Sequence, residues 1–176
     1  MGKYAETLSE VGVGGRYLLI FVTLGTQKFQ MNRLMKAVDE LAQEMDEEII
    51  IQSGNSTYKP EHCTAQAFMS SEEYKNKIES CSLLITHAGV GTIITGLNAH
   101  KPVIVVPRLA SMNEHVDDHQ IQIAEAFSSK KCVLYCDDLT RLREFIDEAR
   151  VYQFEPYEVK GGNIENLIMN FIDLFQ

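Results

Sequence analysis

The stretch "THAGVGT", Thr86 to Thr92, puts two glycines, a histidine and a threonine at the seam between two apolar runs. Glycines let backbone N–H groups approach a ligand with no Cβ in the way. A helix starting near Gly91 turns its free N–H groups and the positive end of its dipole toward an anion. Thr92 adds a hydroxyl and His87 a ring N–H. These types in this spacing suit a phosphate or a diphosphate; a tight strand-to-helix turn with no ligand is the alternative. A second glycine turn, "TLGTQ", sets Gly25 and Thr26 at the end of an earlier apolar run, placed to hold the far side of a diphosphate.

A third polar cluster, "NEHVDDHQ", contains Glu114, His115, Asp118, His119 and Gln120. His115 and His119 stand at i and i+4 and share a face if the stretch is helical, with Asp118 adjacent. The metalloprotease pattern needs Glu directly after the first His, and Val116 stands there instead. Three alternatives stay open: a metal site, a solvated helix start, and hydrogen bonding to a polyol. The acid of Asp118 and the amide of Gln120 suit sugar hydroxyls.

Other chemistries are disfavoured. A dinucleotide fingerprint requires G-x-G-x-x-G after the first strand, whereas Gly89, Gly91 and Gly96 follow the fourth. No G-K-[ST] occurs, so there is no Walker A loop. Neither a Ser-His-Asp order nor a carboxylate pair singles out a hydrolase. The formal net charge of -9 argues against a nucleic-acid partner and against adsorption to anionic lipid by charge alone. The run "YLLIFV" is far short of the roughly 20 residues of a membrane helix, and no secretory signal precedes it. The four cysteines, Cys63, Cys81, Cys132 and Cys136, form no CxxC. Cys132 and Cys136 lie in one expected strand, about 13 Å apart, too far for a disulfide. They read as buried, reduced thiols.

These residues need a frame, and the chain alternates from Tyr17 onward. "RYLLIFVTLG", "EEIIIQSG", "CTAQAFM", "SLLITHAG", "PVIVVP" and "CVLYC" read as six strands. "QMNRLMKAVDELAQEM" carries Leu34, Val38, Leu41 and Met45 at helical spacing. Helices are also expected in "SSEEYKNKIESC", opened by a serine cap, in "GTIITGLNAH", in "HVDDHQIQIAEAFSSK" and in "LTRLREFIDEAR". Unalternating β-branched strands between helices indicate an α/β fold, a doubly wound, mostly parallel, six-stranded Rossmann-like sheet. Such sheets bind ligands at the carboxyl ends of their strands. Those ends are "TLGTQ", "QSGNS", "THAGVGT" and "PRLASMNEH".

One domain is expected over 17–176, behind a flexible leader at 1–16. "NIENLIMNFIDLF", about 163–175, is an amphipathic helix whose stripe runs through Ile164, Leu167, Ile168, Phe171, Ile172 and Phe175. It either covers the chain's own sheet or docks on another protein.

Taken in order, "FVTLGTQKF", "THAGVGT", "KPVIVVPR" and "DDHQIQIAEAF" resemble the C-terminal, donor-binding domain of family 28 glycosyltransferases of GT-B fold. The likeness spans about 19–175. It is closest to short bacterial exopolysaccharide glycosyltransferases of the PssE/EpsE/CpsG type, themselves similar to the catalytic subunit of the two-part dolichol-pathway UDP-N-acetylglucosamine transferase. The resemblance implies a single half of a GT-B fold that binds a UDP-sugar as substrate, with no cofactor and no metal required. His87, Gly89, Gly91 and Thr92 match the H-x-G-x-G-[ST] turn, and Gly25 and Thr26 the first-strand phosphate loop. His119 and Gln120 match a pair that contacts the donor sugar, with Glu114 and His115 just before it. Thr95 stands where many relatives carry a glutamate to the ribose.

The resemblance further implies an inverting hexosyltransferase acting on a lipid-diphosphate-linked sugar acceptor in exopolysaccharide or capsule synthesis. His87 would stabilise the leaving group. A membrane-associated, acceptor-binding glycosyltransferase subunit would complete the site and recruit this cytoplasmic chain to the inner face of the membrane. The replacement at Thr95 keeps open a non-catalytic enhancer or scaffold of such a partner.

Overall fold

A computed structural model describes residues 18–157 of the chain. The leader and the expected helix at 163–175 lie outside the described residues. Six strands form one sheet: β1 Leu19–Thr23, β2 Glu48–Gln52, β3 Thr64–Gln66, β4 Leu83–Thr86, β5 Val103–Val105 and β6 Leu134–Tyr135. All pairs are parallel, in the order β3-β2-β1-β4-β5-β6. The chain is thus an α/β, doubly wound, Rossmann-like half.

The side-chain period of two divides the strands between two cores. Ile20, Val22, Ile49, Ile51, Ile85 and Ile104 face α1 (Asn32–Ala42) and α5 (Leu142–Ala149). Phe21, Ile50, Leu84, Val103 and Val105 face α2 (Ser71–Ser80), α3 (Val90–Asn98) and α4 (His119–Ser129). Both faces are covered, so the strands read as continuous apolar runs. All four cysteines are free. Burial pushes the Cys81 thiol up to about 11 and Cys63 and Cys136 up to about 12, so they stay protonated and inert near neutral pH.

The order places the switch between β1 and β4. From β1 the chain turns through α1 toward β2; from β4 it turns through α3 toward β5. Thr23 and Thr86 are register partners, so the two loops leave the sheet at the same height and diverge. The divergence opens a crevice at the carboxyl edge.

One expected helix is shorter than the sequence suggests. α4 begins at His119, with Asp118 at its N-cap. The Asp118 carboxylate accepts from the Ala110 N–H, which ties down the preceding loop. His115 therefore precedes the helix, and His115 and His119 do not share a helix face. Among the described residues no helix is long and apolar enough to cross a membrane.

Candidate functional site

The crevice holds a cavity of about 600 Å³, lined by Gly25, Thr26, Gln27, Gln52, Met69, Ser71, Tyr74, His87, Gly89, Gly91, Thr92 and Thr95. Seven of the residues singled out in the sequence meet there. The chain carries 25 acidic residues, yet among the described residues no carboxylate lines this cavity.

Its floor is the His87 ring, 6% exposed. A Cβ built on Gly25 would lie 2.5 Å from His87 Nε2, and one on Gly89 would lie 2.2 Å from its Cε1. Gly25 also has φ +73°, a conformation that disfavours any side chain. These two glycines thus make room for the imidazole, a correction to the sequence expectation that they make room for the ligand. Gly54, at φ +56°, makes room for the Gly25 carbonyl, 2.4 Å from its would-be Cβ. At Gly91, by contrast, nothing lies within 4 Å of a would-be Cβ, so that position is open.

The cavity favours negative charge. Gly89 is the N-cap of α3, and no side chain caps that helix or places an acid in its first turn. Its first N–H groups are therefore open to a ligand. α2, close by, is closed by a reciprocal capping box between Ser70 and Glu73 and has two acids in its first turn. The Thr92 hydroxyl accepts from Tyr74 Oη at 3.5 Å. Thr23 donates to Gln52 Oε1, which leaves the Gln52 amide nitrogen as the end available to the cavity.

Behind this wall lies Arg108, 1% exposed. Its Nη atoms donate to the carbonyls of Leu24, Phe29, Gln30 and Glu114, and its Nε has no partner among the described residues. Four carbonyls satisfy hydrogen bonds without cancelling the charge. Burial, and then the Arg108 cation, push the His87 imidazole down to about 4. At neutral pH His87 is a neutral ring.

Four expected residues do not line this cavity. Glu114, 1% exposed, accepts both bonds from Arg33 Nε and one from the Leu109 N–H, so it staples its own loop. His115 Nδ1 pairs with Asp117 at 3.0 Å and its ring leans on Phe29. His119 is half exposed and its Nδ1 meets Gln122. Gln120, 4% exposed, points inward to the backbone N–H groups of Ala88 and Arg108 and to the His87 ring. Among the described residues no group of three or more His, Cys, Asp or Glu is arranged to hold a metal ion.

The sequence reading missed Gln27, Gln52, Met69, Ser71 and Tyr74. The signal for Gln52 was its place as the last residue of β2, at the edge where ligands bind. Met69, Ser71 and Tyr74 come from the β3–α2 junction, and only the sheet order brings that junction beside α3. The Thr95 hydroxyl donates to the Gly91 carbonyl at 2.8 Å, and its side chain lines the cavity rim.

The chain is similar to known proteins over most of the described residues. The model of the glycosyltransferase family 28 C-terminal domain matches residues 19–168. A human UDP-N-acetylglucosamine transferase subunit, ALG13, is 29% identical over 127 residues, 66% of this chain and 11% of that protein. The UDP-N-acetylglucosamine--N-acetylmuramyl-(pentapeptide) pyrophosphoryl-undecaprenol N-acetylglucosamine transferase of Prochlorococcus marinus is 28% identical over 120 residues, 65% of this chain and 33% of that protein. The chain thus spans a third or less of the length of either relative. The crystal structure of the glycotransferase of kitacinnamycin superposes with TM-score 0.61 at 19% identity, over 81% of this chain and 38% of that one. That likeness shows the fold alone.

Proposed function

The chain belongs to the glycosyltransferase family 28 C-terminal domain family, and from that premise we propose that it is the donor-binding subunit of a two-component glycosyltransferase. The observation that carries this reading is the uncapped α3 N-terminus with Gly91 open beside it, in a cavity lined by no carboxylate of the described residues. A UDP-sugar diphosphate sits against the N–H groups of α3, Thr92 and the Gly25–Thr26 turn. Met69 and Tyr74 form the less polar wall for the nucleoside.

In an inverting transfer an acceptor hydroxyl attacks the anomeric carbon. The bond to the diphosphate breaks, and UDP leaves with the electron pair. Fixed donors aimed at the departing oxygens stabilise that charge, about 3 kcal/mol for one well-placed group. A neutral His87 contributes as a hydrogen-bond donor rather than as a cation.

The general base and the acceptor site belong to a membrane-associated partner subunit, which holds this chain at the inner face of the membrane. The word "subunit" in the human relative's name supports the two-part arrangement, and the bacterial relative's name supports a lipid-diphosphate acceptor. Exopolysaccharide or capsule synthesis is the setting we assign on the likeness of the four sequence motifs. One observation favours an enhancer instead: Thr95 turns its hydroxyl proton to the Gly91 carbonyl, which weakens it as a ribose partner.

Calorimetric titration of UDP into the parent and into Gly91→Arg decides between them. A Cβ at Gly91 has free space, so the variant folds and its side chain fills the anion site. Binding by the parent and a loss of roughly 100-fold in the variant supports the donor site. A co-expressed complex whose transfer survives Gly91→Arg sinks it and leaves the enhancer.

A further inference from the structure

The amide of Gln120 is buried and its two ends are told apart by what they meet. Oε1 accepts from the Ala88 N–H at 3.1 Å and from the Arg108 N–H at 3.0 Å. Both partners are obligate donors, so this end is the oxygen. The nitrogen end then faces His87 Nδ1, at 3.4 Å. An amide nitrogen only donates, so Nδ1 must offer its lone pair and the proton of the neutral ring sits on Nε2.

Nε2 is the ring atom on the Gly25 side, among the residues that line the cavity. It has no hydrogen-bond partner among the described residues, and it is not among the fully covered polar atoms. Gly25 and Gly89 flank the ring on its Nε2 and Cε1 edges.

We propose that Gln120 is a positioning residue that locks His87 in the Nε2–H tautomer and so aims one N–H into the cavity. The same amide joins the loops after β4 and β5 to the first turn of α4, so the N–H is set relative to all three. The charged and titratable groups that face the ring are Arg108 and His115, and both oppose a second proton on it. The use of that N–H on a diphosphate oxygen rests on the donor-site reading above; the lock itself does not.

Gln120→Glu tests it. The carboxylate keeps acceptors for the Ala88 and Arg108 N–H groups at nearly the same size, but offers His87 Nδ1 an acceptor in place of a donor. The readout is the long-range ¹H–¹⁵N correlation spectrum of the histidine rings in the full chain, followed against pH and UDP. The parent is expected to show the Nε2–H pattern. Gln120→Glu is expected to show the Nδ1–H pattern, a raised His87 pKa and UDP binding weakened about tenfold, the loss of one hydrogen bond. A parent ring in the Nδ1–H form overturns the proposal and needs no variant to fold. A folded Gln120→Glu whose tautomer and titration match the parent overturns it too. A parent in the Nε2–H form that flips in the variant upholds the lock. If that parent then fails to respond to UDP, the donor-site reading falls and the lock stands.

Discussion

His87 lies where it does because two side chains are missing. Gly25→Ala would bring a Cβ to within 2.5 Å of His87 Nε2 at a positive φ. We expect a loss of about 2–4 kcal/mol of stability, read from urea unfolding, and a displaced ring. The ring's titration makes a second prediction. Burial and Arg108 hold it down to about 4, against an ordinary value of 6.5. The unfolded chain therefore takes up the proton first as pH falls. The contribution of the neutral ring is full above pH 6.5 and is lost between 6.5 and 4, about 3 kcal/mol in all. His87→Gln should flatten the stability profile across that window. A variant as pH-sensitive as the parent between 6.5 and 5 would put the titration elsewhere. The lowered carboxyls of Asp39, Asp117 and Asp138 lose their stabilising contributions at the acid end of the profile.

Two neighbouring helices show opposite uses of an N-terminus. α2 spends its free N–H groups internally: Ser70 Oγ accepts from the Glu73 N–H, and the Glu73 carboxylate from the Ser70 N–H. Ser70→Ala should cost about 1 kcal/mol by thermal or urea unfolding and leave UDP binding within twofold. α3 keeps its first N–H groups uncapped. The loop before β3 gives a parallel case of a buried acid used for structure. Asp39 raises no site: burial lifts its carboxyl, but the N–H groups of Glu61 and His62 and the Tyr58 hydroxyl outweigh that and hold it low. Asp39→Ala should unpin the 58–63 loop at about 2–3 kcal/mol, with faster amide exchange confined to that loop as its signature.

As a whole the described chain is one sheet covered on both faces, with its glycine-rich and polar loops at one edge. We expect the isolated chain to bind UDP and to transfer no sugar, and the complex with an acceptor-binding partner to transfer it. Turnover by the isolated chain would show that the acceptor site and base lie here. The alternation of apolar runs and amphipathic helices made the six strands and both covered faces legible in the sequence, because period and branching report burial directly. Gly25, Thr26, His87, Gly89, Gly91, Thr92 and Thr95 were legible as well, because strand ends in such a sheet converge on one edge. Which way a polar side chain faces was not legible. His115 and His119 share a face only if a helix runs through both, and Asp118 starts that helix too late. Glu114 and Gln120 look like ligand groups in the chain, but the carboxyl edge needs buried partners for Arg33 and for the loop N–H groups, and these two supply them. The sequence by itself determined the elements and the edge where they meet, since both follow from local pattern. Only the tertiary structure decided that two glycines serve a histidine and that a glutamine holds it. The roles of Gly25 and Gln120 depend on segments more than 30 residues apart in the chain packing against His87, and no local pattern carries that separation.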